Sequence, residues 1–264
     1  MKLKDLKQME GTSHHSKWDE KYTIIQAVTC DNILIQFEDS NSLIKVRDKN
    51  IAKGDMSNPN RKVVRNVGYL GYGDFKVCIN GKKTEAYIKW HSMIERVHGI
   101  RRKGTVCYNN CSVAHEWLNF QSFAKWYYEH LPKMQGYVGK ICLDQDLLKI
   151  GNTEYGPETC SLIPYELNIA LKISTHFWFN KERQLFEVKL TRNNHSLGPI
   201  SKYIGRFNTE QDCITAYSKH KDAYILQLAD RYKEYLTNEA FLAASNLNTK
   251  ERFINQQKGT NVLI

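Results

Sequence analysis

Short runs in which apolar and polar residues alternate occupy residues 22–50, namely "YTIIQAV", "NILIQFED" and "SLIKVRD", joined by the turn-prone "TCDN" and "EDSNS". Alternation with a period of two turns one side of an extended chain toward a core. Repetition of such runs about every ten residues predicts a small antiparallel sheet or partial barrel. "KGDMSNPNRK" then reads as a turn or linker, because Gly54, Asn58, Pro59 and Asn60 all disfavour regular structure. Farther on the period lengthens. Ile88, Met93, Ile94 and Val97 in "AYIKWHSMIERVHG" fall near helical spacing, and in "HEWLNFQSFAKWYYEHL" Trp117, Phe120, Phe123, Ala124 and Tyr127 share one helical face.

The clearest local pattern lies between residues 175 and 236. "THFWF", "LFEVKLTR" and "KYIGRFNT" read as strands, and in the middle one Phe186, Val188 and Leu190 point one way while Glu187, Lys189 and Thr191 point the other. A helix follows, with Thr209 at its N-cap and Asp212 three residues on, a short-armed version of a capping box. Its apolar face of Ile214, Tyr217, Ile225, Leu228 and Tyr232 is suited to cover one side of the sheet, leaving the other free. No sustained strand-helix-strand alternation supports a parallel sheet. The predicted fold is therefore α+β: a small β-rich module over residues 1–60, a central helical and ββα-like domain over 61–172, a three-stranded antiparallel sheet packed on one helix over 173–236, and a C-terminal tail over 237–264. A second arrangement joins the central and third units into one compact domain.

Length and composition agree with several small cores. The chain has 264 residues, 41% hydrophobic and 25% charged, and no apolar run approaches the roughly 18 residues of a membrane span. The start, "MKLKDLKQMEGTSHHSKWDEKY", has neither an apolar stretch nor the character of a transit peptide, so a soluble, cytoplasmic protein is expected, with no membrane partner. Seven cysteines without dense spacing predict reduced thiols. Cys107 and Cys111 have a spacing that could open a zinc site, but no second pair completes it.

The net charge of +10 is unevenly spread. Nine basic and nine acidic side chains cancel in residues 1–60, fourteen basic face five acidic in 61–140, and one basic faces five acidic in 141–170. An acidic island flanked by basic stretches is the arrangement expected where cationic surfaces hold phosphates around a carboxylate cluster; a solvated basic surface is the plainer reading. Within the basic stretch, "IRRKG" gathers Arg101, Arg102 and Lys103, which fits phosphate contact. "VGYLGYGDFKVCI" leads into another strand instead of a helix, so its glycines mark a hairpin and not a dinucleotide fingerprint.

The island itself is "CLDQDLLKIGNTEYGPETCSLIPYELN", Cys142 to Asn168. Asp144 and Asp146, one residue apart on a strand, point to the same side and with Asn168 could hold Mg²⁺ or Mn²⁺, because hard cations prefer oxygen ligands. A carboxylate general base would work near neutral pH only if burial raised its pKa. The alternative is that Asp144 and Asp146 hydrogen-bond the hairpin, with "GNTEYGPE" as its turn and Asn168 tying helix to loop.

At "KYIGRFNTEQDCITAYSKHKDAYI", with the Glu187-Val188-Lys189 alternation upstream, the chain resembles the plant ethylene-response-factor (Apetala) DNA-binding domain, a three-stranded sheet backed by one helix. That resemblance implies double-stranded DNA contact by the outward residues Glu187, Lys189, Arg192, Tyr203 and Arg206. The family's arginine-rich first strand is replaced here by "THFWFN". From about Tyr69 to Tyr235 the chain is also similar to phage and prophage proteins in which such a domain follows an HNH-like unit. "AYIKWHSMIERV", "CSVAHEWLNFQSFAKWY" and "LDQDLLKIGNTEYGPETCSLIPYELN" carry that likeness. It implies a metal-dependent endonuclease of the homing kind, using Mg²⁺ or Mn²⁺ and acting in the host cytoplasm. Asp144 and Asp146 stand where the family places its histidine base, Cys160 where a structural Asn is common, and Asn168 on the following helix. His115 or His130 could supply an imidazole. The competing expectation is a non-catalytic phage protein that regulates transcription or engages a host protein through its N-terminal β module.

Overall fold

The computed structural model describes residues 1–99, 110–172, 177–194 and 198–260. The chain forms two compact units, one of residues Met1–Asn109 and His115–Lys125, the other of Asn110–Ala114 and Trp126–Ile264. Among the described residues no helix is long and apolar enough to cross a membrane.

The first unit begins with α1 (Leu3–Gln8) and the strands β1 (Ser13–His15), β2 (Lys21–Thr29), β3 (Asn32–Phe37) and β4 (Leu43–Val46), paired in that order as one antiparallel sheet. The alternating runs explain it. Tyr22, Ile24, Ile33, Ile35, Phe37, Ile44 and Val46 point to one side and bury against Leu6 of α1, Met56, and Ile51 of α2 (Asp48–Lys53). A register shift between Ile24 and Gln26 inserts an extra residue, so the inward positions move from Ile24 to Ala27 and leave Ile25 and Val28 exposed.

Two further hairpins follow, β5 (Lys62–Val64) with β6 (Gly68–Tyr69), and β7 (Cys78–Ile79) with β8 (Lys82–Lys83). Asn80 and Gly81 both have positive φ in the second, as a two-residue hairpin loop requires. The glycine-rich stretch is therefore not itself a hairpin: Gly68 lies in β6, and Gly71 and Gly73 lie in the connection between the two hairpins, whose strands β6 and β7 pair with β5 and β8 and not with each other. α3 (Glu85–His98) starts where Thr84 Oγ1 accepts the N–H of Tyr87. Its buried stripe is Ala86, Trp90, Met93 and Ile94, whereas Ile88 lies on the exposed side. Trp90 Nε1 donates to the Trp117 carbonyl at 2.7 Å, which satisfies a buried indole among Trp117, Phe120 and Phe123.

The second unit contains β9 (Ser112–Val113), α4 (Phe120–His130) from Trp126 onward, β10 (Ile141–Asp144), β11 (Glu154–Tyr155), β12 (Ser161–Pro164) and α5 (Tyr165–Leu171). β10 and β12 pair antiparallel and lead into α5, a ββα order, and β11 pairs parallel with β9. Next come β13 (Phe177–Asn180), β14 (Leu185–Asn194) and β15 (Gly198–Phe207), a three-stranded antiparallel sheet packed on α6 (Glu210–Arg231). Thr209 caps α6 as its sequence predicts, accepting the Asp212 N–H at 3.1 Å and donating its hydroxyl to the Asp212 carboxylate at 2.7 Å. Residues 237–260 form α7 (Asn238–Ser245) and α8 (Thr249–Thr260). One hydrophobic core joins Leu147, Ile163 and Leu167 to Val188 and Leu190 of the sheet, Tyr217, Ile225 and Leu228 of α6, and Ala240 and Ala244 of α7. The fold is α+β.

Candidate functional site

Asp144 ends β10 and is nearly buried. Its Oδ1 accepts the backbone N–H groups of Asp146 at 3.2 Å and Leu147 at 2.8 Å, and its Oδ2 accepts from Asn168 Nδ2 at 2.9 Å. Aspartate closes chain reversals this way because its short arm reaches amides two and three residues on. Burial pushes the Asp144 carboxyl up to about 6, and the nearby Asp146 charge adds to the rise. Asp146 turns its Oδ2 to Arg252 of α8, whose Nη2 donates at 2.7 Å while Nη1 donates to the Leu171 carbonyl at 3.4 Å.

Asp144, Asp146 and Asn168 are therefore brought together, but in a form that does not fit a divalent cation. Hard cations need oxygen lone pairs converging on one point. Here both oxygens of Asp144 already accept N–H groups, Asn168 presents its amide nitrogen, and Arg252 already supplies the positive charge beside Asp146. His130 is committed at one nitrogen, Nδ1 donating to the Trp126 carbonyl at 2.7 Å with the ring stacked on Trp126. His115 belongs to the other compact unit. The described cysteines are free thiols; Cys111 Sγ accepts from Gln145 Nε2 at 3.4 Å, and Cys107 lies outside the described residues.

The sheet β13-β14-β15 offers a different surface. Phe186, Val188 and Leu190 turn toward the core with Ile204 and Phe207, so Glu187, Lys189 and Thr191 face outward, as the alternation predicts. The strand register places Trp178, Glu187 and Arg206 in one row across the sheet. After a bulge between Val188 and Lys189, Lys189 stands opposite Tyr203 and Thr191 opposite Ser201. Lys189 Nζ lies 5.6 Å from the Trp178 ring centroid, and Tyr203 is 51% exposed.

Glu187 is the exception on this face, only 8% exposed. Its Oε1 accepts from Asn180 Nδ2 at 3.1 Å and from Arg183 Nη1 at 3.0 Å, and Arg206 Nε approaches it at 3.4 Å. The hairpin turn before β14 explains the placement of Arg183: Asn180 Oδ1 accepts the N–H groups of Glu182 and Arg183, and Gln184 takes a positive φ of 52°.

One expected member of the face is elsewhere. Arg192 continues the even-numbered series of β14, and its guanidinium lies 5.0 Å from the ring centroid of Tyr224 on α6. A long cationic side chain can lie across an aromatic at the edge of a core, its stem covered and its charge shared with the ring. Arg101, Arg102 and Lys103 fall outside the described residues. Sequence reasoning missed Trp178 and Arg183; their signal is Trp178's parity in "FWFN" and Arg183's place in the Asn-led turn "NKERQ".

No family model, curated protein or solved structure matches this chain.

Proposed function

We propose that the protein is a phage-type double-stranded DNA-binding protein of the host cytoplasm that docks the free face of β13-β14-β15 against DNA without cutting it. The observation that carries this reading is a sheet face, uncovered among the described residues, on which Lys189 and Arg206 stand with Trp178 and Tyr203 and the turn residue Arg183, opposite an inner face of Phe186, Val188 and Leu190 packed into the core. The resemblance to the ethylene-response-factor domain points the same way. Cationic side chains on such a face supply phosphate attraction, and an arginine within reach of a groove can pair with guanine O6 and N7. The metal-dependent endonuclease is the weaker reading, because the carboxylates it would use are already bound to N–H groups and to Arg252.

Arg206→Ala and Lys189→Ala should each weaken duplex binding about tenfold or more in a mobility-shift titration, with affinity falling steeply as salt rises. A wild-type protein that binds no duplex at low salt overturns the proposal. DNA cleavage that needs Mg²⁺ or Mn²⁺ and is abolished by Asp146→Ala overturns the binding-only part.

A second reading, a host-protein partner for the N-terminal module, has its own support in Ile25, Val28 and Leu43, which are 41%, 50% and 47% exposed. A stoichiometric protein partner recovered from nuclease-treated host lysate, and lost in Ile25→Lys, would favour it.

A further inference from the structure

We infer that Glu187 is a positioning residue, one that holds the Arg206 and Arg183 guanidinium groups in fixed orientation for reading guanine and does not itself contact a base; this rests on the DNA-binding reading above.

A carboxylate on a face that meets phosphates opposes binding, unless it is covered and neutralised or is itself reading a base. A glutamate that reads cytosine must offer a free oxygen to the N4 amino group. Glu187 is 8% exposed, whereas the side chains of Arg183 and Arg206 beside it are 50% and 46% exposed. The acid thus lies beneath two arginines, with Asn180 Nδ2 and Arg183 Nη1 donating to its Oε1 and Arg206 Nε in ion-pair contact with the same oxygen.

The arginine geometry completes the inference. Nε is the Arg206 nitrogen paired with Glu187, so this ion pair does not engage the terminal Nη1 and Nη2, and the side chain is 46% exposed. Two parallel N–H groups on those nitrogens match the O6 and N7 acceptors of guanine in the major groove. Arginine loses much rotamer freedom when it is fixed at an interface, so an ion pair that orders it before binding lowers the entropy lost in the complex. The neighbouring turn serves the same end: Asn180 closes the hairpin through Oδ1 and donates to Glu187 through Nδ2, so the acid is tied to the backbone. Trp178, across the strand pair from Glu187, carries Lys189 over its ring.

The test uses the full chain as wild type, Glu187→Gln, Glu187→Ala, Arg206→Ala and the Glu187→Ala/Arg206→Ala double variant. In the free protein, the Nε–H resonances of Arg183 and Arg206 should show restricted motion by ¹⁵N relaxation, and Glu187→Ala should release both. Selection from a randomised duplex library should show Glu187→Ala losing about tenfold discrimination at the same base pair as Arg206→Ala, and the double variant losing no more than the single. Affinity for non-cognate duplex should hold or rise in Glu187→Ala, since one negative charge is gone. Glu187→Gln, which keeps shape and one acceptor oxygen, should fall between wild type and Glu187→Ala, and it serves alone if the alanine variant unfolds. Mobile arginine signals in the wild type, or Glu187 variants with unchanged discrimination, overturn the inference. Loss at a base pair that Arg206→Ala still reads makes Glu187 a base contact and overturns it too. A wild type that binds no duplex overturns the DNA-binding reading and this assignment together, whereas duplex binding with unaltered selectivity in the variants overturns the assignment alone.

Discussion

Asp144 and Glu187 are both nearly buried acids on β-strands of the second unit, Asp144 accepting three N–H groups and Glu187 accepting two and pairing with a third cationic group. What separates them is the source of those groups. Asp144 is met by two backbone amides and the Asn168 side chain, all from the ββα segment itself. Glu187 is met by one such amide, from Asn180, and by two arginines whose far ends reach solvent. An acid satisfied from within fastens the fold; an acid satisfied by exposed cations shapes a surface. The difference lies in the donors, so residue type and spacing alone do not reveal it.

The largest effect expected from this contrast is on stability. Asp144→Ala removes the acceptor of two backbone N–H groups and an asparagine amide in a nearly buried position and should cost about 2–3 kcal/mol in urea unfolding. Glu187→Ala removes ion pairs whose cationic partners are half exposed and should cost about 1 kcal/mol or less. Equal losses would erase the distinction. A smaller effect is expected at Arg252, which fastens α8 to Asp146 and to the Leu171 carbonyl. Arg252→Met keeps much of the buried stem and removes the charge, and should cost about 1–2 kcal/mol with faster amide exchange confined to α8. Arg206→Ala, by contrast, should leave stability within about 0.5 kcal/mol of wild type.

Local patterns were readable in the sequence wherever the physics is local. The period-two pattern of Phe186, Val188 and Leu190 against Glu187 and Lys189 held, and so did the Thr209 cap, because each depends on residues within a few positions. The same parity would have placed Arg192 on the helix side. The family resemblance implies the outward side instead, and the ring of Tyr224 that accommodates Arg192 comes from another element. Asp144 as a turn acceptor was one of two local readings. The partner that decides the state of Asp146 stands 106 residues away, in a segment read only as a tail. The row of Trp178, Glu187 and Arg206 likewise exists only once two strand registers are set, one of them followed by a bulge.

The smallest expected effect is a slope in stability with pH, and it tests the interior acid alone. Burial raises the Asp144 carboxyl from an ordinary value near 3.8 to about 6 in the folded protein, with the Asp146 charge acting in the same direction. Between those values the folded state binds more protons than the unfolded chain, so the derivative of unfolding free energy with pH is negative there. The contribution is complete below about pH 4 and is lost as pH rises through about 6. Asp144→Asn cannot ionise. Its Oδ1 can still accept the two backbone N–H groups, and a turned Asn168 amide can accept from its Nδ2, so the variant should fold and its stability should lose this component between pH 4 and 6. Glu187→Gln should leave that component in place. Urea midpoints for the three proteins at half-unit steps across this range check both statements, and an Asp144→Asn profile parallel to wild type would remove Asp144 as the source of the slope.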